Sequence, residues 1–274
     1  MTCNSGEVVL ILGDDSSGKT RLLTAISETI VTPPKRSRST TLARGKVIVG
    51  GLDTTKWEKS QLKRKVGILL NDARTLADVS HLYSGVRLAT ILQPICPNVP
   101  KPLRASIYGS AVSLASKLSG ISTTLIPRLP SKLSTIVTAN EDELSKNSEL
   151  HTMSAAEWSK IHLTKVLAQA IACNDNPLSS PNAVPRCLVG SILLLDDATT
   201  YMDEVDEAQL IKELRSSGAA TVMTSRRWAL GRFVDRVVVM KNGSVVESGT
   251  HEELLSKGSQ HSAYAKKWAQ ITSS

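Results

Sequence analysis

Hydrophobic positions along this chain come in two spacings. Near the start, "EVVLILG" is an unbroken apolar run closed by glycine, the pattern of a strand buried on both faces. The next residues, "KTRLLTAISETI", place Leu22, Leu23, Ile26 and Ile30 at helical spacing. Strand, glycine-rich turn and helix are therefore predicted in that order. "GKVIVGGLD" reads as a strand with a Gly-Gly turn, and "KVGILLND" as another buried strand. The middle of the chain changes character. "QPICPNVPKP" carries too many prolines for a regular element. Arg104–Leu118 and the surroundings of "IPRLPSKLSTIV" read as short helices, and "TANEDELSKNSELHT" as a polar loop. A helix follows with Leu163, Val166, Leu167, Ala170 and Ile171 on one face, then a second loop, "NDNPLSSPNAVPRC". Alternation resumes with "SILLLD" as a strand, "EVDEAQLIKELRSSG" as a helix closed by glycine, and "AATVMTS" as a strand. "DRVVVMKNGSVVESG" reads as a hairpin turned at Asn242-Gly243. Strand–helix alternation at both ends predicts an α/β fold with a mostly parallel sheet. The proline-broken middle predicts a mostly helical subdomain, about 85–170, within one unit spanning 1–274.

Composition narrows the picture. With 3% aromatic residues, the core must be largely aliphatic. No apolar run approaches the roughly 18 to 20 residues that span a bilayer, and "MTCNSGEVVLIL" shows no secretion leader. Cys3, Cys96, Cys173 and Cys187 are scattered, never spaced as CxxC, and read most simply as reduced thiols of a cytosolic protein. The formal net charge is +8, part of it in the proline-led basic segment "TPPKRSRSTTLAR", residues 32–44. That segment reads as a solvated loop insertion; contact with nucleic acid or an anionic membrane surface is the less favoured reading.

Candidate chemistry sits where strands end. "GDDSSGKT", Gly13 to Thr20, fits G-x-x-x-x-G-K-[ST] between a buried strand and a helix. Such a loop curls so that backbone N–H groups point inward as an anion nest, beside the positive end of the following helix. Gly13, Ser16, Ser17, Gly18, Lys19, Thr20 and Arg21 are the candidate phosphate-binding residues. Lys19 brings charge toward the β- and γ-phosphates, and Thr20 a hydroxyl toward Mg²⁺. Asp14 and Asp15 add negative charge that weakens anion binding unless their side chains point to solvent. The metal also needs an acid at the end of a neighbouring strand, and "ILLLD" supplies Asp196.

Here the sequence resembles the nucleotide-binding domains of ABC ATPases, over nearly its whole length. "GDDSSGKT" looks like that family's Walker A, "ILLLD" its Walker B, and "DATTYMD" its D-loop, with Asp203 in the aspartate position. "DRVVVMKNGSVVESGTHEELL" is similar to the closing strands, and "SAYAKKWAQ" to the last helix of exporter-type members. The resemblance implies a P-loop NTPase fold with an ABC-type core, antiparallel strands and a helical subdomain, binding ATP and Mg. It also marks departures. The glutamate that polarises the attacking water is Asp197, one methylene shorter. Asn71 stands for the glutamine and Ser225 for the histidine that meets the γ-phosphate. Arg226 is not expected to replace that histidine, because neighbouring strand residues face opposite ways. The signature L-S-G-G-Q is "MSAAE", with Ser154, Ala155, Ala156 and Glu157 as its loop. Ala155 and Ala156 narrow a gap that glycines would leave open. Ser154-x-x-Glu157 is also a capping box. The family's adenine-stacking aromatic falls ahead of Met1, so a fragment and a weak adenine binder are both open readings.

The expectation is an ATP-binding subunit or domain of an ABC-type transporter, binding Mg-ATP with weak hydrolysis. Its expected partners are a second nucleotide-binding domain and a membrane-spanning chain, not nucleic acid, and its place is the cytoplasm, peripheral at a membrane. The alternatives are a nucleotide-independent regulatory or scaffolding remnant of such an ATPase, and a working ATPase in which the substitutes suffice.

Overall fold

The structure, a computed structural model, describes residues 1–31, 45–70, 83, 85–96, 99–138, 150–174 and 187–273. The basic segment 32–44 and Asn71 lie outside the described residues. Five parallel strands form the centre: β1 (Val8–Leu12), β4 (Val66–Leu69), β8 (Ile192–Leu195), β9 (Ala220–Thr224) and β10 (Arg236–Lys241). β11 (Ser244–Gly249) adds an antiparallel edge, and the order is β11-β10-β1-β9-β8-β4. The hairpin joining β10 to β11 turns at Asn242 and Gly243, whose φ values of 50° and 79° make the expected two-residue turn. β2 (Ile48–Val49) and β3 (Leu52–Asp53) pair across the predicted Gly-Gly turn, so the segment is a hairpin of two short strands rather than one strand.

The unbroken apolar runs are explained by burial on both faces. Val8, Leu10 and Leu12 of β1 enter one core cluster, and Val9 and Ile11 enter another. β8 divides in the same way, with Leu193 and Leu195 on one side and Leu194 on the other. Helix α1 (Lys19–Val31) and α2 (Lys59–Lys65) cover the second face through Leu23, Ile30 and Leu62. The first face is covered by α4 (Arg104–Leu118), α6 (Ala155–Ala172) and α7 (Glu204–Ser217). A third cluster gathers α3 (Leu88–Leu92), the short α5 (Ile121–Thr124) and the N-terminal half of α6 through Trp158 and Ile161. α8 (His251–Ser256) and α9 (Ala263–Thr272) close the chain, bringing Leu254 and Tyr264 into the first cluster.

Several expectations are corrected. Arg104–Leu118 is one 15-residue helix rather than a short one. The segment "IPRLPSKLSTIV" holds the expected short helices, the 3-10 turns Ile126–Arg128 and Lys132–Ser134, but ends in a strand. That strand, β6 (Ile136–Thr138), pairs with β5 (Val86–Arg87) and with β7 (Leu150–Thr152), the end of "TANEDELSKNSELHT", whose residues 139–149 lie outside the described residues. Three-residue strands give too short a pattern for alternation to be read. Cys96 and Cys173 are not reduced thiols but form a disulfide, with Cα atoms 5.7 Å apart. The Gln169 side chain brings them together: it accepts from Ile95 N at 2.7 Å and donates to Ile95 O at 2.9 Å, one turn before Cys173.

Candidate functional site

The turn after β1 is built around two glycines. A Cβ on Gly13 would lie 2.4 Å from the Met240 carbonyl oxygen, so no side chain fits there. Gly18 has φ 98° and lies against the Gly243 backbone of the β10–β11 turn. Gly243 N donates to Ser17 O at 2.9 Å, fixing that hairpin behind the loop. Lys19 opens α1 and is buried, its Nζ donating to the carbonyls of Gly13 (2.7 Å) and Asp14 (3.1 Å) and to Ser17 Oγ (3.4 Å). The ammonium is curled over the loop's own carbonyls. Ser16, Thr20 and Arg21 are exposed, and Ser17 is buried.

Asp196 follows the last residue of β8 and is 1% exposed. Its Oδ1 accepts from Thr20 Oγ1 at 3.1 Å and from Thr224 Oγ1 at 2.6 Å. Thr224 in turn accepts from Asp197 N at 2.9 Å. Three strand ends, those of β1, β8 and β9, thus deliver one connected polar cluster. A hydroxyl and a buried carboxylate suit a hard cation such as Mg²⁺, which keeps waters and takes only one or two carboxylates with phosphate oxygens. Among the described residues there is no cluster of three or more His, Cys, Asp or Glu that could hold a metal alone.

Asp197 has φ 45°, a left-handed conformation that Asp tolerates better than most residues. Burial pushes its carboxyl above the usual range, Asp196 adds to that, and Arg226 and Lys19 oppose it. Arg226 stands beside Asp197: its Nε is 3.5 Å from Asp197 Oδ2 and its Nη1 3.6 Å from Asp15 Oδ1. β9 ends at Thr224, so strand alternation no longer governs the residue two positions later. Ser225 is buried, and its Oγ accepts from Arg227 N at 3.0 Å. Arg227 donates to the carbonyls of Met202 (2.6 Å) and Thr200 (3.3 Å) and to buried Glu207 (2.8 Å), holding the 197–203 turn. Asp203 caps α7, its Oδ1 accepting from Asp206 N at 2.7 Å. Asp14 and Asp15 point to solvent; Asp14 lies 3.5 Å from Lys267 of α9.

The 154–157 loop lies elsewhere, on the third cluster rather than at the sheet ends. Ser154 and Glu157 make the predicted capping box on α6, with Ser154 N donating to Glu157 Oε2 at 2.9 Å. The Glu157 carboxylate is therefore turned back on its own helix start. Sequence reasoning missed Thr224, Arg227, Glu207 and Lys267. Only Thr224 left a signal, a polar residue closing the apolar run "ATVMT".

A family model described as ABC transporter matches residues 1–179. An ABC transporter B family member, mitochondrial, of Arabidopsis thaliana is 27% identical over 98% of this chain and 31% of that protein. A mycobactin import ATP-binding/permease protein of Mycobacterium tuberculosis is 26% identical over 98% of this chain and 25% of its own length. The solved structure of a bacterial ABC exporter with ATP bound matches 98% of this chain and 37% of that one, with a TM-score of 0.61 and 20% identity, a likeness of fold. The chain thus spans about a quarter to a third of the two curated relatives it matches. By a family match over more than half its length, with a fold and sequence relatives that agree, the chain belongs to the ABC transporter family.

Proposed function

We propose that the chain binds Mg-ATP through Gly13–Thr20, hydrolyses it weakly, and powers or gates transport together with other chains or domains. The single observation behind this reading is the convergence of Lys19, Thr20 and Asp196, with the Thr20 hydroxyl 3.1 Å from the Asp196 carboxylate. When the terminal phosphates enter, Lys19 exchanges its loop carbonyls for phosphate oxygens, and the N-terminus of α1 adds its dipole. Thr20 and Asp196 would hold a Mg²⁺, which would supply neutralisation of phosphate charge.

Weak hydrolysis rests on the other half of the site. The Asp197 carboxylate is one methylene short, a displacement on the order of 1 Å that can cost about a hundredfold in rate. Ser225 carries no imidazole, and its hydroxyl is engaged by Arg227 N. Ala155 and Ala156 keep an opposing nucleotide farther from the α6 N-terminus. The relatives' names join ATP-binding and permease parts in one protein, which supports a membrane-spanning partner here; a second nucleotide-binding domain follows from the resemblance to ABC ATPases alone. No described helix is long and apolar enough to cross a membrane, so membrane attachment in this reading comes through that partner.

Titration with a fluorescent ATP analogue in Mg²⁺ tests the site. Lys19→Ala should lose most of the binding, because it deletes the cation nearest the phosphates. Equal binding by wild type and Lys19→Ala would reject the assignment, and no binding by either would favour a nucleotide-independent remnant.

A further inference from the structure

Arg226 stands at the mouth of the phosphate loop. Its guanidinium spans from Asp15, in the first half of the loop, to Asp197, beside the metal-side acid. Its neighbours in the turn are otherwise occupied: the Ser225 hydroxyl is taken by Arg227 N, and Arg227 is clamped on Thr200, Met202 and Glu207. Arg226 is held loosely by comparison. Its side chain is 68% exposed, and both contacts, at 3.5 and 3.6 Å, exceed ordinary hydrogen-bond length. Exposed ion pairs of this kind contribute little and are readily exchanged. An arginine fork meets phosphate oxygens more strongly, in two parallel hydrogen bonds.

We propose that Arg226 reads the terminal phosphate of the bound nucleotide, leaving Asp15 and Asp197 to pair with the γ-phosphate when ATP enters. The inference rests on the nucleotide reading above and assigns a role to a residue to which that reading gives none. The geometry supports it in two ways. Asp15 belongs to the phosphate loop and Asp197 follows Asp196, so a guanidinium within 3.6 Å of both borders the loop that Lys19 closes. Asp15 then acts as a tether: it holds the guanidinium over the empty loop and competes with phosphate for it. ADP lacks the third phosphate and gains nothing from Arg226, so the residue confers preference for ATP.

Fluorescent ATP and ADP analogues, titrated in Mg²⁺ into the full chain and its variants, separate the possibilities. Arg226→Ala should raise the Kd for the ATP analogue on the order of tenfold, the loss of a charge-assisted contact, and that for the ADP analogue by less than about twofold. Arg226→Lys should keep part of the ATP preference. Asp15→Asn should tighten the ATP analogue by about twofold or more, since it removes both a competitor and a like charge. Equal shifts for the two analogues in Arg226→Ala, or none, overturn the role of Arg226 while leaving the nucleotide site standing. Failure of the wild-type chain to bind either analogue overturns the nucleotide reading and this inference with it.

Discussion

At the scale of single residues, the site separates groups that are already satisfied from groups poised to exchange partners. Asp196 is fixed by two hydroxyls, whereas Lys19 is held mainly by its own loop's carbonyls. Away from the site, His162 is the residue with the clearest titration consequence. It lies buried on α6, its Nε2 without a hydrogen-bond partner among the described residues. Burial, and next the Lys165 charge, lower its pKa from 6.5 to about 4. The unfolded chain therefore takes up a proton as pH falls through about 6.5, while the folded chain does so only near 4. Stability rises with pH wherever the unfolded state binds more protons, so it should fall across that window on acidification. Between pH 7 and pH 5 the loss should be on the order of 2 kcal/mol in wild type. Urea unfolding at the two pH values checks this. His162→Gln cannot titrate and should lack that part of the pH dependence; an unchanged dependence would show that His162 is not the group responsible.

At the scale of elements, the disulfide joins the segment after α3 to the C-terminal end of α6, across 77 residues of sequence. Closing a loop of that size stabilises the fold by up to about 4 kcal/mol in the chain-entropy account. Reduction by a dithiol should therefore lower the melting temperature by several degrees, and Cys96→Ser should lower it similarly and abolish the further effect of reductant. Two alkylatable thiols at Cys96 and Cys173 in the native, unreduced protein would contradict the bond. Nothing in the spacing of these cysteines announced it, because proximity of Cys96 and Cys173 depends on how α3 and α6 pack. The long elements were legible for the opposite reason. β1, β8 and β10 are apolar runs buried on both faces, α1 carries its own periodicity, and α7 is bounded by Asp203 at its start and Gly218 at its end. The strands β5, β6 and β7 were not legible, since two or three residues carry no period. Within the site, Gly13–Thr20 and Asp196 could be read from local spacing. The place of Arg226 could not, because it depends on β9 ending at Thr224.

At the scale of the whole molecule, the chain holds two parts that it does not bring together. Lys19, Thr20, Asp196 and Asp197 meet at the ends of the parallel strands, while Ser154–Glu157 caps α6 on a different hydrophobic cluster. In the proposed mechanism the second part serves a nucleotide on an opposing domain, so the losses at Asp197, Ser225 and the Ala155–Ala156 pair act as a unit and are not additive. The backbone adds a further reason for aspartate at 197: φ is 45° there, and a longer side chain without a local partner sits less well in that conformation, at a cost of about 1 kcal/mol. The most direct test is the fate of Mg-ATP labelled in its γ-phosphate, incubated with wild type and with Asp197→Glu and followed by phosphate release. The account predicts that the nucleotide is retained on both proteins and recovered as ATP, with release near background, and that adding Ser225→His, Ala155→Gly and Ala156→Gly to Asp197→Glu raises the rate. Rapid release by wild type, or a large recovery from Asp197→Glu alone, would contradict it.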